Sequence, residues 1–245
     1  CGHICGCIFF AGLVMAPVCL WGIKIVTGIE KFLVFLPADQ YLWPVYSFYE
    51  LCQFYRLERA SKPMILSKIK IGDDVPKEVN MIVENPLGGI PVKYELDKDA
   101  GAMFVDRFLH TAMMYPGNYG FIPHTLSGDG DPVDVLAIGR TPVMPGAVMP
   151  VRPVGVLLME DDGGQDEKII AVPAPQIHPY HDNVNDYMDI REVTRAQIEH
   201  FFTHYKDLEK GKWAKTMGWR GKDEAHKMIL EGVERAKKAE AEKAA

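Results

Sequence analysis

Three carboxylates fall within six residues in the stretch Asp129-Gly130-Asp131-Pro132-Val133-Asp134. Carboxylates this close repel one another, so a fold brings them together only where positive charge compensates. Clustered carboxylate oxygens are the ligands that hard divalent cations such as Mg²⁺ take up. Gly130 and Pro132 favour a tight turn, and the apolar residues that follow predict a buried strand. The stretch therefore predicts a metal-binding turn that enters a strand, with a solvated surface turn as the alternative.

An EF-hand calcium loop is the competing metal-binding pattern for this stretch. That loop needs a side-chain oxygen at its fifth position and a glutamate at its twelfth. Counted from Asp129, these positions hold Val133 and Arg140. Neither side chain offers an oxygen ligand, so the calcium-loop hypothesis fails.

Further acidic residues lie near two other turns of the sequence. One group surrounds Gly163 and Gly164, between two strand-like runs, and consists of Asp161, Asp162, Asp166 and Glu167. The other group consists of Glu84, Glu95 and Asp97. Bound cations would keep such clusters ionised at neutral pH. Solvated hairpin tips are the alternative interpretation.

Cationic and hydroxyl-bearing side chains suited to phosphate occur in the same part of the chain. Lys93 and Glu95 are two residues apart, so they share one face of a strand. Arg107 offers a planar fork that matches phosphate oxygens. The remaining candidates lie in a Pro- and Gly-shaped loop and near a helix end, and are Tyr115, Tyr119, Tyr205 and Lys206. Each has a structural alternative, as a surface ion pair, a packed tyrosine or a solvated lysine.

Short runs rich in β-branched and aromatic residues, separated by turn clusters, predict strands in the first half of this region. They lie at Val79–Glu84, Val92–Leu96, Ala102–Arg107, Val133–Ile138 and Val148–Met159. Many short strands with frequent turns indicate a small barrel or a compact sheet.

Two helices follow the strands. Asp189 and Glu192 have the spacing of a capping box at a helix start, and Gly211 suits the end of that helix. Its predicted apolar stripe consists of Val193, Gln197, Phe201, Tyr205 and Leu208. A second helix is predicted from about Asp223 into a charged tail. Together the elements predict an α+β fold, with a barrel inside and helices outside.

The composition of the 245-residue chain changes near Met64. All five cysteines precede that residue, and we therefore predict a hydrophobic N-terminal extension at 1–63 and a globular domain at 64–245. The overall content of 48% hydrophobic and 24% charged residues is typical of a globular protein. The net charge of -6 argues against a nucleic-acid partner, because such partners require clustered Lys and Arg.

Residues 4–23 contain no charged side chain, and a run of about twenty apolar residues is long enough to span a bilayer as a helix. No Lys or Arg precedes Lys24, which is unlike a signal peptide. Two interpretations stay open. The extension is either a membrane anchor or upstream sequence translated in frame, with synthesis starting at Met64.

Several motifs in a fixed order resemble the soluble family I inorganic pyrophosphatases, and most closely the bacterial ones. The resemblance runs from Met64 to about Lys238 and leaves out residues 1–63. Its most specific stretches are Lys93-Tyr94-Glu95, Gly101 to Arg107, Tyr115-Pro116-Gly117-Asn118-Tyr119-Gly120, Asp129 to Val135, and His204-Tyr205-Lys206-Asp207-Leu208-Glu209.

The resemblance implies a small five-stranded barrel of the OB type with flanking helices. It also implies hydrolysis of pyrophosphate to two phosphates by direct attack of a water activated by Mg²⁺, with several ions in each active site. The chain would act in the cytoplasm as a homo-oligomer, a hexamer, with no nucleic-acid partner. Membrane association would follow only if residues 4–23 are a real anchor.

The resemblance further assigns roles to individual side chains. The implied metal ligands are Asp129, Asp134, Asp161 and Asp166, with Glu84 serving an additional metal. Asp131 would be the general base, and Tyr119 is placed beside it among the catalytic residues. The implied phosphate-binding residues are Lys93, Arg107, Tyr119, Lys168, Tyr205 and Lys206, and Glu95 and Tyr115 would line the site. Asp162 stands where bacterial relatives usually carry Glu, so it receives no role.

Two other function classes remain open. One is a metal-dependent phosphohydrolase that acts on nucleotides, which sequence alone excludes only weakly. The other is a non-catalytic OB-type module that binds oligonucleotides or sugars, against which the acidic loops argue. A single hydrophobic run cannot build a multi-span ion pump, so that third class is excluded.

Overall fold

A mainly β structure with two α-helices is present in the computed structural model, which describes residues 66–244. The apolar run at 4–23 and the predicted boundary at Met64 lie outside the described residues. The strands of the described part are β1 (Val79–Asn85), β2 (Val92–Asp97), β3 (Ala102–Phe108), β4 (Asn118–Phe121), β5 (Asp134–Ala137), β6 (Val148–Asp161), β7 (Gly164–Gln165), β8 (Lys168–Pro173) and β9 (Ala214–Gly221). The α-helices are α1 (Glu192–His204) and α2 (Lys222–Ala244). Within residues 66–244, no helix combines the length and the apolar character that crossing a membrane requires.

Five of the strands close into a ring in the order β1, β4, β5, β8, β6 and back to β1. Only the β5–β8 pairing within this ring is parallel. Strand β6, with 14 residues, is long enough to pair with β1 and then β9 along one edge while β8 occupies the other. Strands β2 and β3 form a separate hairpin. The five-stranded ring and its two helices agree with the predicted α+β fold class.

The central strands bury both of their faces. Val135 and Ala137 of β5 pack into a cluster that includes Ile229 of α2, whereas Leu136 packs into a second cluster with Phe201 of α1. Successive side chains of a strand point to opposite faces, so alternate residues serve the two helices. Each fully buried aliphatic or aromatic side chain contributes about 1.5–3 kcal/mol. The continuous apolar runs of β5 and β8 therefore belong to a rigid two-sided core.

The predicted start of helix α1 was wrong in its capping. Asp189 accepts from the N–H groups of Asn185 and Asp186, so it completes a capping box in the short 3₁₀ turn Tyr187–Asp189 instead. The N-cap of α1 is Arg191, which makes no side-chain hydrogen bond to the helix. The Asp189 carboxylate is therefore used in the turn before α1 and does not cap the helix. Helix α1 is stabilised by the packing of its buried side chains.

The predicted apolar stripe of α1 was only partly right. Phe201 is buried as predicted, but the other fully buried residues of the helix are Ile198 and Phe202. Val193 is 62% exposed, and Leu208 is 70% exposed because it lies beyond the end of the helix at His204. Gly211 likewise falls in the following turns and does not cap α1.

Strands β4, β7 and β9 were not predicted, and β8 was indicated only as a strand-like run after the second acidic group, without bounds. The loop expected around Tyr119 is in part a strand, since Asn118–Phe121 pairs with both β1 and β5. Its Asn and Gly residues have low strand propensity, and burial between two neighbours overrides that preference. The short apolar run of β8 cannot be told from a buried helix by its periodicity alone.

The pairing of β4 with β1 leaves no room for a side chain at Gly120 and gives a stability prediction. A Cβ atom at Gly120 of β4 would lie 1.9 Å from the carbonyl oxygen of Ile82 in β1, so Gly120→Ala must push these strands apart. We expect this substitution to lower the free energy of unfolding by about 1–3 kcal/mol or more. Urea unfolding followed by tryptophan fluorescence measures the loss.

Gly128→Ala is the matched control, because a Cβ at Gly128 would meet no heavy atom within 4 Å. Its stability should stay within about 0.5 kcal/mol of the unchanged protein. Equal stability of the two variants would contradict the tight β1–β4 approach.

Candidate active site

One cavity of about 440 Å³ is lined by every side chain to which the family resemblance gave a role, whereas Asp97 and Glu167 of the acidic groups do not line it. Eight carboxylates and six lysine or arginine side chains lie along its walls. The predicted residues among them, with the tyrosines, are Glu84, Lys93, Glu95, Arg107, Tyr115, Tyr119, Asp129, Asp131, Asp134, Asp161, Asp166, Lys168, Tyr205 and Lys206. The fold therefore brings together residues that are up to 122 positions apart, from Glu84 to Lys206.

The acidic turn takes its shape from hydrogen bonds within it. The N–H of Asp131 donates to Asp129 Oδ1 at 2.9 Å, and the N–H of Ser127 donates to the Asp131 carbonyl oxygen at 2.6 Å. Gly130 has a φ of 95°, in the region that favours glycine. The turn leads into β5, whose first residue is Asp134. Turn and strand together hold three carboxylates at the cavity wall.

Lys168, the first residue of β8, lies at the centre of one ion cluster. Its Nζ contacts Asp134 Oδ2 at 2.5 Å, contacts Asp166 Oδ1, and donates to the Tyr119 hydroxyl at 3.2 Å. The lysine side chain is only 3% exposed. Burial lowers the pKa of the Lys168 ammonium, but Asp134 and Asp166 outweigh it and raise the pKa above its ordinary value. The group stays charged and joins β5 to β8.

Lys206 forms a second ion cluster just beyond α1. Its Nζ lies 2.5 Å from Asp161 Oδ2 and 3.1 Å from Asp162 Oδ1, at the end of β6 and the turn that follows. Burial raises the pKa of the Asp161 carboxyl, but hydrogen bonds from Lys206 and from the Gly163 N–H lower it overall. The second acidic cluster of the sequence is therefore held by a lysine 44 or 45 residues away.

The β2–β3 hairpin supplies a third set of charges. Lys93 contacts Glu95 on its own strand and Asp106 across the hairpin at 3.3 Å. Asp106 also pairs with Arg107 at 2.6 Å. Within the hairpin turn, Lys98 Nζ reaches Asp131 Oδ1 of the acidic turn at 3.1 Å. The hairpin thus places cations on the side of the cavity that faces the acidic turn.

Three phenols complete the lining. Burial raises the pKa values of the Tyr115, Tyr119 and Tyr205 hydroxyls well above the ordinary value, so all three keep their protons at neutral pH. Tyr205 stacks on Phe201 of α1 with ring centroids 5.4 Å apart. Because Tyr119 accepts its hydrogen bond from Lys168, its own proton is available to a ligand oxygen.

Comparison with known proteins agrees with this geometry. A sequence model of the family described as Inorganic pyrophosphatase matches residues 81–237. The inorganic pyrophosphatase of Bradyrhizobium diazoefficiens is 61% identical over 175 residues, which are 71% of this chain and 98% of that protein. The chain belongs to the inorganic pyrophosphatase family. Members of this family are enzymes that hydrolyse pyrophosphate, so the resemblance seen in the motifs is confirmed.

Solved structures of pyrophosphatases share the fold. The inorganic pyrophosphatase from Thermus thermophilus is 44% identical with a TM-score of 0.67, and covers 71% of this chain and 99% of its own. A structure from Anaplasma phagocytophilum, described as an inorganic phosphatase, is 49% identical with a TM-score of 0.68, and covers 69% of this chain and 99% of its own. The described strands and helices therefore form the fold of these structures.

Inorganic pyrophosphatases are metal-dependent, and the donor set of this cavity fits a hard cation. Its carboxylates offer the oxygen ligands that divalent cations of the Mg²⁺ type prefer. As the side chains stand, no three groups able to hold a metal converge on one point within residues 66–244. Lys168 and Lys206 explain this, because each ammonium lies between two carboxylates. A cation that binds these carboxylates must compete with a lysine.

Glu84 is a buried carboxylate in the lining of the cavity. It is only 8% exposed and accepts one hydrogen bond, from the Leu96 N–H at 2.9 Å. Burial raises the pKa of the Glu84 carboxyl to about 7, and the charge of Asp134 adds to the rise. A cation beside this carboxylate would favour its ionised form.

Several cavity residues were missed by the sequence analysis. Lys98, Lys212 and Gln165 line the cavity although no motif indicated them, and Asp162 lines it without an assigned role. Lys98 lies in the turn cluster between the second and third predicted strands, where a lysine is ordinarily solvated. Its pairing with Asp131 joins positions 33 residues apart, and no local signal reveals such a contact.

The buried Lys168 cluster gives a second stability prediction. Lys168→Met would leave Asp134 and Asp166 facing each other with no cation between them. We expect the free energy of unfolding in chelator to fall by about 3–5 kcal/mol, the usual cost of breaking a buried pair. Urea unfolding of the variant measures this change.

Lys77→Met is the control, because Lys77 is 73% exposed and its pair with Asp74 spans 3.9 Å. Its loss should stay below about 1 kcal/mol. If both variants lose the same stability, the structural role of the Lys168 ammonium is refuted.

Proposed function

We propose that this pyrophosphatase uses Mg²⁺ and hydrolyses pyrophosphate by direct attack of water, with Asp131 as the general base. The observation that carries the proposal is the charge distribution of the cavity. Eight carboxylates and six cationic side chains line one space, together with three protonated phenols. A polyanion such as pyrophosphate enters a lining of this kind only when bound cations offset the carboxylates.

The proposed metal ligands are Asp129, Asp134, Asp161 and Asp166, with Glu84 for an additional ion. Bound Mg²⁺ would neutralise the phosphate oxygens and lower the pKa of a coordinated water. The two acidic segments that supply these ligands lie on neighbouring elements, since Asp134 and Asp166 share one lysine. No cysteine or serine nucleophile is needed by this mechanism.

The proposed phosphate-binding residues are Lys93, Arg107, Tyr119, Lys168, Tyr205 and Lys206, with Tyr115 and Glu95 lining the site. Lys168 and Lys206 are nearly buried and already ordered by their carboxylate partners. Cations that are positioned beforehand stabilise charge that develops on a leaving phosphate, and they need little reorganisation to do so. Tyr119 can donate its proton to the same oxygens while Lys168 holds its hydroxyl.

Asp131 is suited to accept the proton of the attacking water. Its side chain is 76% exposed and its backbone is fixed by Asp129, so the carboxylate is both reachable and placed. Proton removal by a positioned carboxylate contributes about 100- to 10,000-fold to a rate. Lys98, 3.1 Å away, keeps the carboxylate near the cavity.

The rival nucleotide phosphohydrolase is tested by substrate choice. Release of phosphate in the presence of Mg²⁺ would be compared for pyrophosphate, nucleoside triphosphates and a phosphate monoester. Pyrophosphate should be hydrolysed fastest. Faster hydrolysis of a nucleoside triphosphate would favour the rival. Family membership already removes the non-catalytic binding module.

The division of the chain and its assembly are part of the same proposal. Residues 64–245 would carry the full activity, since 175 residues of this chain cover 98% of the Bradyrhizobium diazoefficiens relative. The enzyme would act in the cytoplasm as a homohexamer, as the family resemblance implies. Light scattering of the full chain, and pyrophosphate assays of a chain that begins at Met64, test these two points.

The general base gives the first kinetic prediction. Asp131→Asn removes the proton acceptor while it keeps the size of the side chain and the backbone of the turn. We expect kcat for pyrophosphate at neutral pH to fall by at least ~100-fold, the lower range for general base catalysis. Circular dichroism and urea unfolding should remain close to those of the unchanged protein.

The control for this prediction is Asp99→Asn, at an exposed aspartate of the hairpin turn that does not line the cavity. Its kcat should be unchanged. Normal turnover by Asp131→Asn from pH 6 to 9 would remove Asp131 from the base role.

Metal removal gives the second kinetic prediction. Chelator should abolish hydrolysis, and added Mg²⁺ should restore it. Asp134→Ala should raise the Mg²⁺ concentration needed for half-maximal activity, and excess Ca²⁺ should inhibit because its larger, looser coordination shell positions water poorly. Full activity in chelator would refute the proposed mechanism.

A further inference from the structure

Glu209 is a buried carboxylate outside the set of residues assigned above. It lies in the turns that follow α1, is 8% exposed, and does not line the cavity. Carboxylates are seldom buried to this degree unless they are paired, because removing their charge from water is costly. The contacts of Glu209 therefore show which groups stabilise its buried charge.

The main partner of Glu209 is Arg107 on β3, 102 residues earlier in the chain. Arg107 Nε lies 3.1 Å from Glu209 Oε2 and 3.4 Å from Oε1. Lys212 Nζ also approaches Oε2, at 3.5 Å. Burial lowers the pKa of the Arg107 guanidinium, but Glu209 and then Asp106 outweigh it, so the guanidinium stays charged.

These contacts fix the plane of the Arg107 guanidinium. Its Nε edge is held by Glu209, and one Nη donates to Asp106 at 2.6 Å. A guanidinium is rigid and planar, so two fixed edges determine where its remaining donors point. Among the hydrogen bonds of residues 66–244, those of Arg107 use only Nε and this one Nη. The second Nη is thus available to a ligand oxygen in the cavity.

Glu209 also belongs to the segment that carries two other phosphate-binding candidates. Tyr205 and Lys206 precede it by four and three residues, and its N–H donates to the Lys206 carbonyl oxygen at 2.8 Å. This turn fixes Glu209 relative to Lys206, while the ion pair fixes it relative to Arg107. One carboxylate therefore connects two cations that reach the cavity from different elements.

We propose that Glu209 is a positioning residue, which holds the Arg107 guanidinium in register with Lys206 so that both cations bind the same substrate. It does not touch the substrate itself and acts through Arg107. This role rests on the proposed function, in which Arg107 and Lys206 bind phosphate. The competing explanation is that Glu209 only satisfies a buried arginine and contributes to stability alone.

The first experiment measures the kinetics of Glu209→Gln with pyrophosphate at saturating Mg²⁺. Glutamine keeps the size of the side chain and one acceptor but removes the charge that orients the guanidinium. We expect kcat/KM to fall about 10- to 100-fold, the range for losing a hydrogen bond to a charged group. Glu231→Gln, at an exposed residue of α2 that pairs only with Arg235 among the described residues, is the matched control and should leave kcat/KM unchanged.

A double-mutant cycle separates positioning from general stabilisation. If Glu209 acts through Arg107, Glu209→Gln should lower kcat/KM strongly in the unchanged protein and by less than about 2-fold in an Arg107→Ala background. An equal decrease in both backgrounds would overturn the proposal. So would a normal kcat/KM for Glu209→Gln in the presence of Arg107, even if its Tm is lower.

Glu209→Asp keeps the experiment decisive if the glutamine variant does not fold. It retains the charge but shortens the side chain by one methylene, so it should fold and still show a lower kcat/KM that depends on Arg107. A normal kcat/KM for this variant would then count against positioning.

If the proposed function is wrong, the protein without substitutions will show no Mg²⁺-dependent hydrolysis of pyrophosphate, and this result is distinct from any effect of the Glu209 variants. In that case calorimetry with inorganic phosphate replaces the kinetics. Weaker phosphate binding by Glu209→Gln but not by Glu231→Gln would support positioning, and equal binding by both would overturn it.

Discussion

Buried ammonium groups between paired carboxylates are the interaction on which this site depends. Lys168 joins Asp134 to Asp166, and Lys206 joins Asp161 to Asp162. Without these cations, the two carboxylates of each pair would repel one another. The same lysines that balance these carboxylates are the ones proposed to bind phosphate. Structure and proposed catalysis therefore use one set of charges.

The ring of strands makes this arrangement possible. Strands β5 and β8 lie side by side and parallel, so Asp134 at the start of one lies near Lys168 at the start of the other. Both strands are packed on two faces against the core, which prevents the charged ends from drifting apart. Apolar packing therefore sets the positions of the β5 and β8 ends, and the ion pairs between Asp134, Asp166 and Lys168 balance the charges there.

The cations of the cavity come from separate elements, and two of them are connected through a buried carboxylate. Arg107 comes from the hairpin and Lys206 from the segment after α1, and Glu209 connects the two. The buried Glu209 carboxylate limits the movement of the Arg107 side chain relative to the segment that carries Lys206. The proposed site is consequently preorganised well beyond the residues that would contact substrate.

The sequence by itself predicted the acidic turn and, through the family resemblance, a five-stranded barrel and most of the charged cavity residues, but it did not predict Lys98, Lys212 or Gln165. Gly130 and the spacing of Asp129 and Asp131 specify a turn through local sterics and hydrogen bonds, which need no distant partner. Tertiary structure alone decided the pairings across 33, 45 and 102 residues, namely Lys98 with Asp131, Lys206 with Asp161 and Arg107 with Glu209. The physical reason is that a turn depends on neighbouring residues, whereas an ion pair between distant residues depends on the path of the whole chain.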